Sequence, residues 1–372
     1  MQNMHSSMVV NSHNEWSQLK EVILGAGFPE TLPAGDFSFK IFFHDNLYGT
    51  NFYREESAYI TKKHIAEHNE DLENYAGLLT SLGVNVIRPK IPQKVTKTKT
   101  LTFESTNFPA LNPRDLTLIV GNEIIETSPI CRFRYFENDY LKHIFHDYFL
   151  NGSKWTVAPK PLLLDSSFDI NYVCKNKKDD TNYYEQQQQK DNHYLKIGHE
   201  IMFDAACCMR LGKHIIFNVS NKNAELGCMW LQRHLPDYTI CPVNITDWHI
   251  DSSFVPLRPG LAIVASDEVP TKLPNIMKNW DFVIAPEFIT TREQQSAKLA
   301  SPLIDINVLS INENMIIANS ANGTSKHLRS ALKKYNVEVI DCPIRHSELF
   351  AGAHHCLTLD TVRESVLEDY FS

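Results

Sequence analysis

The sequence predicts one α/β domain spanning residues 1–372, folded as a five-bladed, pseudo-symmetric α/β propeller whose ring is closed by its N- and C-terminal segments. Three observations lead there. Five segments read as an amphipathic helix followed by a short β-rich run that closes on proline. Five apolar, β-branched runs lie upstream of those helices, one for each. The Asp, His and Cys residues with chemical potential fall in one phase of the repeat.

Taken in chain order, the first unit pairs LKEVILG (19–25) with NEDLENYAGLLTSLGVNVIRP, which closes on Pro89. The second pairs LTLIVGNEIIE (116–126) with NDYLKHIFHDYFLNGSKWTVAP, closing on Pro159. HIIFNV precedes AELGCMWLQRHLPDYTICP and Pro242; LAIVAS precedes TKLPNIMKNWDFVIAP and Pro286. MIIANS precedes TSKHLRSALKKYNVEVIDCP and Pro343. Each upstream run is short, mostly apolar and β-branched, the pattern of a buried strand. Self-similarity at this scale signals a stacked or closed array, with unequal spacing taken up by loop insertions.

Asp115 precedes the strand of the second unit, Asp204 that of the third, His249 and Asp251 that of the fourth, and Ser301 that of the fifth. Cys356 has no strand after it in this reading. The chain ends soon afterwards, and LKEVILG at the other terminus would supply the missing strand and close the ring. Equivalent positions of a ring converge on its axis, so residues as remote as Asp115 and Cys356 would share one pocket. The stretch 171–197, polar, without Gly or Pro and carrying a Gln run, reads as a surface insertion, with a lid over the site as the alternative.

Composition bounds the function. The formal charge is −8, and 43% of the residues are hydrophobic, enough for a large core. No Lys/Arg run flanked by aromatics supplies a nucleic-acid footprint. The N-terminus lacks the basic and apolar regions of a secretory signal, and no stretch approaches the length of a membrane span. These features predict a soluble, cytoplasmic protein with no nucleic-acid or membrane partner. Eight cysteines without C-x-x-C pairs read as reduced, mostly buried thiols, and neither HHC nor CC is accompanied by a second pair at zinc spacing.

FDAACC (203–208), WHIDSSF (248–254) and AGAHHCLTLD (351–360) together offer a thiol, an imidazole and several carboxylates. This is the set needed to attack a guanidinium carbon. Carboxylates grip the planar fork with paired charge-assisted hydrogen bonds, a thiolate adds to the central carbon, and a histidine moves protons at the departing and arriving nitrogens. Taken singly, each residue has a plainer reading. Cys356 would be a buried structural thiol, His249 a surface or core histidine, Asp115 a turn residue, and Asp204 the cap of a helix-like AACCMRLG.

In these segments the chain resembles the arginine-dependent amidinotransferases, the family of glycine and inosamine-phosphate amidinotransferases within the guanidino-group-modifying superfamily of pentein propellers. The resemblance runs over nearly the whole chain, through NEWSQLKEVILG, NPRDLTLIVGNEIIE, KWTVAPKP, FDAACCMRLGKHIIF, WHIDSSFVPLRPG and HHCLTLD. It implies that Cys356 is the nucleophile, His249 the general acid and base, and Asp204 the residue orienting His249. Asp115 and Asp251 would bind the guanidinium. The implied reaction is ping-pong amidino transfer from arginine or a related guanidine to a primary amine, without metal or cofactor. Relatives with this fold are often homodimers. The same core suits hydrolysis by water, as in deiminases, and a silent ligand-binding protein could retain the fold.

The resemblance breaks around the substrate. Where glycine-type enzymes carry an arginine for the amino-acid carboxylate, the alignment places Glu268. An anion there would repel a carboxylate, unless Arg258 or Lys298 holds that group. Ser301 matches one of two serines near the substrate, with Ala300 at the other; Trp248 replaces a methionine and Cys207 an acidic residue. These changes predict an acceptor other than glycine. Trp248, Glu268 and Ser301 complete the expected substrate-binding set.

Overall fold

A computed structural model describes residues 8–27, 38, 60–90, 96–167, 198–246, 249–285 and 304–371 of the chain. The insertion at 171–197 lies outside them.

The chain opens with β1 (Leu19–Leu24), helix α1 (Lys62–Ser81) and β2 (Asn85–Ile87), followed by a small hairpin of β3 (Lys97–Lys99) and β4 (Glu104–Thr106). Next come the single-turn helix α2 (Pro113–Leu116), β5 (Thr117–Val120), β6 (Glu123–Glu126), α3 (Lys142–Leu150) and β7 (Lys154–Val157). The third unit is β8 (Cys208–Leu211), β9 (His214–Asn218), α4 (Lys222–His234) and β10 (Thr239–Val243). The fourth is β11 (Phe254–Arg258), β12 (Leu261–Val264), α5 (Val269–Lys272) and β13 (Asp281–Ile284). The fifth is β14 (Leu309–Asn312), β15 (Met315–Asn319), α6 (Thr324–Leu332) and β16 (Glu338–Cys342), and the chain finishes with β17 (Thr358–Arg363).

These strands form five three-stranded sheets of one design. In each, a central strand pairs antiparallel with the strand before it and parallel with the strand after the helix, as β8, β9 and β10 do. The first sheet takes its antiparallel strand from the other end of the chain, where β17 pairs with β1. The ring therefore closes by its termini, as the sequence predicts. One detail is corrected: Cys356 does have a strand after it, because β17 begins two residues later.

Among the described residues, five large hydrophobic clusters each join neighbouring blades. Along β9, Ile215 and Phe217 enter the cluster shared with β5 and β6, while Ile216 between them enters the cluster shared with β11 and β12. Along β15, Ile316 and Ala318 face the fourth blade and Ile317 the first. Side chains alternate across a strand, so a strand sandwiched between two blades must be apolar on both faces. That is why the central strands read as mostly apolar runs.

Two elements differ from expectation. LTLIVGNEIIE is not one strand but the hairpin β5–β6, turned at Gly121 with φ +57°, where a side chain would be disfavoured. The fourth unit has only the four-residue α5 and a 3-10 turn at Asn275–Met277 in place of a full helix. Pro274 lacks the N–H needed to continue and pushes Leu273 into an extended conformation, with ψ 157°. Except for β5 in the second unit, the strand preceding each central strand was also missing from the sequence reading. Pro242 and Pro256 sit within β10 and β11, both sheet edges, where no ladder hydrogen bond is lost.

No helix among the described residues is long and apolar enough to cross a membrane. The seven described cysteines are all free thiols.

Candidate active site

Each blade delivers a short turn just before its first strand, and these turns carry the polar residues. Asp115 lies in α2; Asp204 precedes a 3-10 turn at Ala205–Cys207 that enters β8; His249 and Asp251 flank Ile250 at the turn entering β11. Asn307 stands before β14, and Cys356 before β17. AACCMRLG, helix-like in the plainer reading of Asp204, is a 3-10 turn running into a strand. Asp204 makes no side-chain cap, because its carboxylate is committed elsewhere.

That commitment is to His249, whose Nε2 lies 2.9 Å from Asp204 Oδ2. His249 Nδ1 faces Asp115 Oδ1 at 3.7 Å. Burial opposes a charge on the ring, but the negative charges of Asp115 and Asp204 outweigh it and push His249 up to about 9. His249 is an imidazolium at neutral pH.

Asp115 is 1% exposed, and Arg134 Nη1 donates to its Oδ2 at 2.7 Å. The other edge of the same guanidinium grips Glu137 through Nε and Nη2 at 2.6 and 2.8 Å. This fork pins one oxygen of Asp115 and leaves Oδ1 accepting no hydrogen bond among the described residues. Burial raises the Asp115 carboxyl despite His249 and Arg134.

Cys356 is 1% exposed, backed by Ile304 and Ala353, and its Sγ lies 3.2 Å from Asp251 Oδ2. Asn307 fixes the segment, accepting from the Cys356 N–H at 2.8 Å and donating to the Asp251 carbonyl at 3.4 Å. Burial, then the charges of Asp251 and Asp115, hold the thiol well above its ordinary range. Asp251 itself is lowered: burial pushes against ionisation, but the hydrogen bond from His355 overcomes it. Asp251 Oδ1, like Asp115 Oδ1, accepts no hydrogen bond among the described residues.

The structure thus brings Asp115, Asp204, His249, Asp251 and Cys356 into one buried cluster. Trp248, Ser301 and Lys298 lie outside the described residues. Glu268 is not part of the cluster: its side chain is 77% exposed and faces Lys272 at 3.9 Å. Arg258 sits at the far end of β11, donating to Asn314 Oδ1 and to the Tyr335 carbonyl, both at 2.7 Å, so it cannot hold a substrate carboxylate in this cluster. Sequence reasoning missed Glu15, Arg134, Asn307 and His355. None of the four lies in a strand-like apolar stretch; charges inside such stretches, at Arg210 in CMRL and Arg363 in TLDTVR, mark only the arginines that grip Glu15 and Asp360.

Those arginines belong to a buried network on the ring axis. Arg210 Nη2 lies 2.7 Å from both Glu15 Oε2 and Asp360 Oδ2, and Arg114 Nη2 lies 2.6 Å from Asp360 Oδ1. No group of three or more His, Cys, Asp or Glu side chains among the described residues could hold a metal ion. What the cluster can do is bind a small planar cation between carboxylates and present a thiol to it.

No family model matches the chain. Over 368 residues it is 32% identical to glycine amidinotransferase, mitochondrial, of Xenopus tropicalis, covering 98% of this chain and 85% of that protein. It is 32% identical over 376 residues to the L-arginine:L-lysine amidinotransferase of Pseudomonas savastanoi pv. phaseolicola, covering 97% and 96%. The solved structure of inosamine-phosphate amidinotransferase from Streptomyces griseus superposes with a TM-score of 0.82 at 30% identity, covering 98% of this chain and 99% of that one.

Proposed function

The chain belongs to the amidinotransferase family, and from that premise we propose that it moves an amidino group from arginine or a related guanidine to a primary amine through an amidino-Cys356 intermediate. One observation carries the reading. Two buried carboxylate oxygens, Asp115 Oδ1 and Asp251 Oδ1, accept no hydrogen bond among the described residues, beside a thiol 3.2 Å from the second carboxylate. Such acceptors match the N–H donors of a guanidinium.

The proton inventory suits the first half-reaction. In the free enzyme Cys356 is a thiol and His249 a cation. A guanidinium held by Asp115 and Asp251 brings positive charge to the thiol and favours its ionisation. The sulfur adds to the central carbon, His249 gives its proton to the departing nitrogen, and the C–N bond breaks. The thiol proton restores the imidazolium. A neutral amine leaves, and the sulfur keeps the cationic amidino group. In the second half, the lone pair of the acceptor amine forms the new C–N bond as the C–S bond breaks, and His249 conveys the amine proton to the sulfur. Asp204 holds the ring throughout.

One relative's name, L-arginine:L-lysine amidinotransferase, includes L-arginine, which supports an arginine-type donor here. The sequence departures at Ala300, Trp248 and Cys207 support an acceptor other than glycine; Glu268, exposed and away from the cluster, does not bear on it. The test is product analysis with arginine or agmatine and a panel of primary amines. Ornithine or putrescine accompanied by a new guanidine product supports transfer. Citrulline or its agmatine counterpart identifies water as the acceptor, and no turnover with any guanidine overturns the catalytic reading.

A further inference from the structure

His355, the residue before Cys356, is 3% exposed, and both of its ring nitrogens face carboxylates. Nδ1 lies 2.9 Å from Asp251 Oδ2 and Nε2 lies 3.4 Å from Glu15 Oε2. Glu15 cannot swing away, because Arg210 grips both of its oxygens, at 2.8 and 2.7 Å. The backbone of His355 is held as well, by Arg114 Nε on its carbonyl at 2.9 Å and by the Asn307 carbonyl on its N–H at 3.1 Å.

We propose that His355 is a positioning residue for the transfer reaction: held between Glu15 and Asp251, its ring engages Asp251 Oδ2 and turns the carboxylate so that Oδ1 meets the guanidinium. The inference rests on the amidinotransfer reading of this same site. Asp251 Oδ2 accepts from His355 and also faces the thiol of Cys356, which leaves Oδ1 for the substrate. Asp251 is faced by His355 and Cys356 from the segment before β17, by His249 from its own turn, by Asp115 from the second blade and by Cys207 from the third. Burial and Asp115 favour a protonated Asp251, whereas His355 and His249 favour the carboxylate. A protonated Asp251 would be a poorer acceptor for a guanidinium, so donor capture would fail at low pH.

Two substitutions separate the contacts of the ring. His355→Asn puts an amide donor near the place of Nδ1 and keeps a neutral hydrogen bond to Asp251. His355→Gln puts its donor near the place of Nε2, toward Glu15, and leaves Asp251 without one. The experiment follows kcat/KM for the guanidine donor against pH in wild type and both variants, alongside intact-mass detection of the Cys356 adduct.

The acid limb should move to higher pH in the order wild type, Asn, Gln, with Gln displaced by about one pH unit. Near neutral pH the Gln variant should lose about ten-fold in kcat/KM, chiefly through KM. A purely structural role would lower activity in both variants without moving the limb. An unmoved limb, or equal displacement in Asn and Gln, overturns the inference while a wild-type adduct keeps the amidinotransfer reading. Absence of the adduct in wild type overturns both.

Discussion

His249 Nε2 and Asp204 Oδ2 lie 2.9 Å apart although they come from different blades, and together with Asp115 this contact makes His249 a cation in the resting site. The protein carries a proton there before any substrate arrives. This has a consequence for stability as well as catalysis.

Because the folded-state value of about 9 exceeds the ordinary 6.5, the contribution of protonated His249 is fully present below pH 6.5 and is lost as pH rises through 9. Its ceiling is roughly 3 kcal/mol. Denaturant unfolding at pH 6.5, 7.5 and 8.5 should show wild type losing stability across this range, with a shallower slope in His249→Gln. Equal slopes would contradict a raised His249.

Cys356 is predicted to remain a thiol in the free enzyme, since burial and the carboxylates of Asp251 and Asp115 all oppose the thiolate. The difference in thiolate absorbance between wild type and Cys356→Ser should show no step below the ordinary pH 9. A guanidinium ligand should bring the step down. A thiolate already formed near neutral pH in the free enzyme would contradict the substrate-assisted account.

Arg134 holds Asp115 and Glu137 from opposite edges of its fork, all three being less than 10% exposed. Arg134→Ala leaves two buried carboxyls without their partner, and should destabilise the protein by about 3–5 kcal/mol in urea unfolding. Arg134→Lys should recover only part of this, because an ammonium cannot reproduce the planar fork. Equal stability of the Lys variant and wild type would show that charge alone suffices.

Gly25, at the end of β1, donates its N–H to the Leu357 carbonyl at 2.8 Å, and a Cβ there would sit 1.7 Å from the Leu111 carbonyl oxygen. One side of Gly25 therefore borders the segment leading to Asp115, and the other the residue after Cys356. Gly25→Ala should force these segments apart, lowering stability by about 1–3 kcal/mol and reducing turnover in the remaining folded protein. Thermal melts and initial rates measured on one preparation test both effects.

The central strands were legible because each is wedged between two blades, so that Ile215, Ile216 and Phe217 must all be apolar. The helices were legible from their amphipathic pattern, except in the fourth unit, where Pro270 and Pro274 leave only two short turns. The preceding strands were not, since FVPLR and CMRL mix charge or proline into runs that only a sheet edge or an axial network explains. Chemical type and shared phase pointed to Asp115, Asp204, His249, Asp251 and Cys356. Glu15 and His355 had no local signal, because each becomes intelligible only when ring closure brings together residues 340 apart.

The most direct test of the account is the intact mass of the protein after brief exposure to a guanidine donor without acceptor, with Cys356→Ala alongside. The account predicts a gain equal to one amidino group on wild type, located at Cys356 by peptide mapping, absent from the alanine variant and discharged by an added primary amine. Turnover of the donor with no such adduct, or an adduct on another residue, would contradict it.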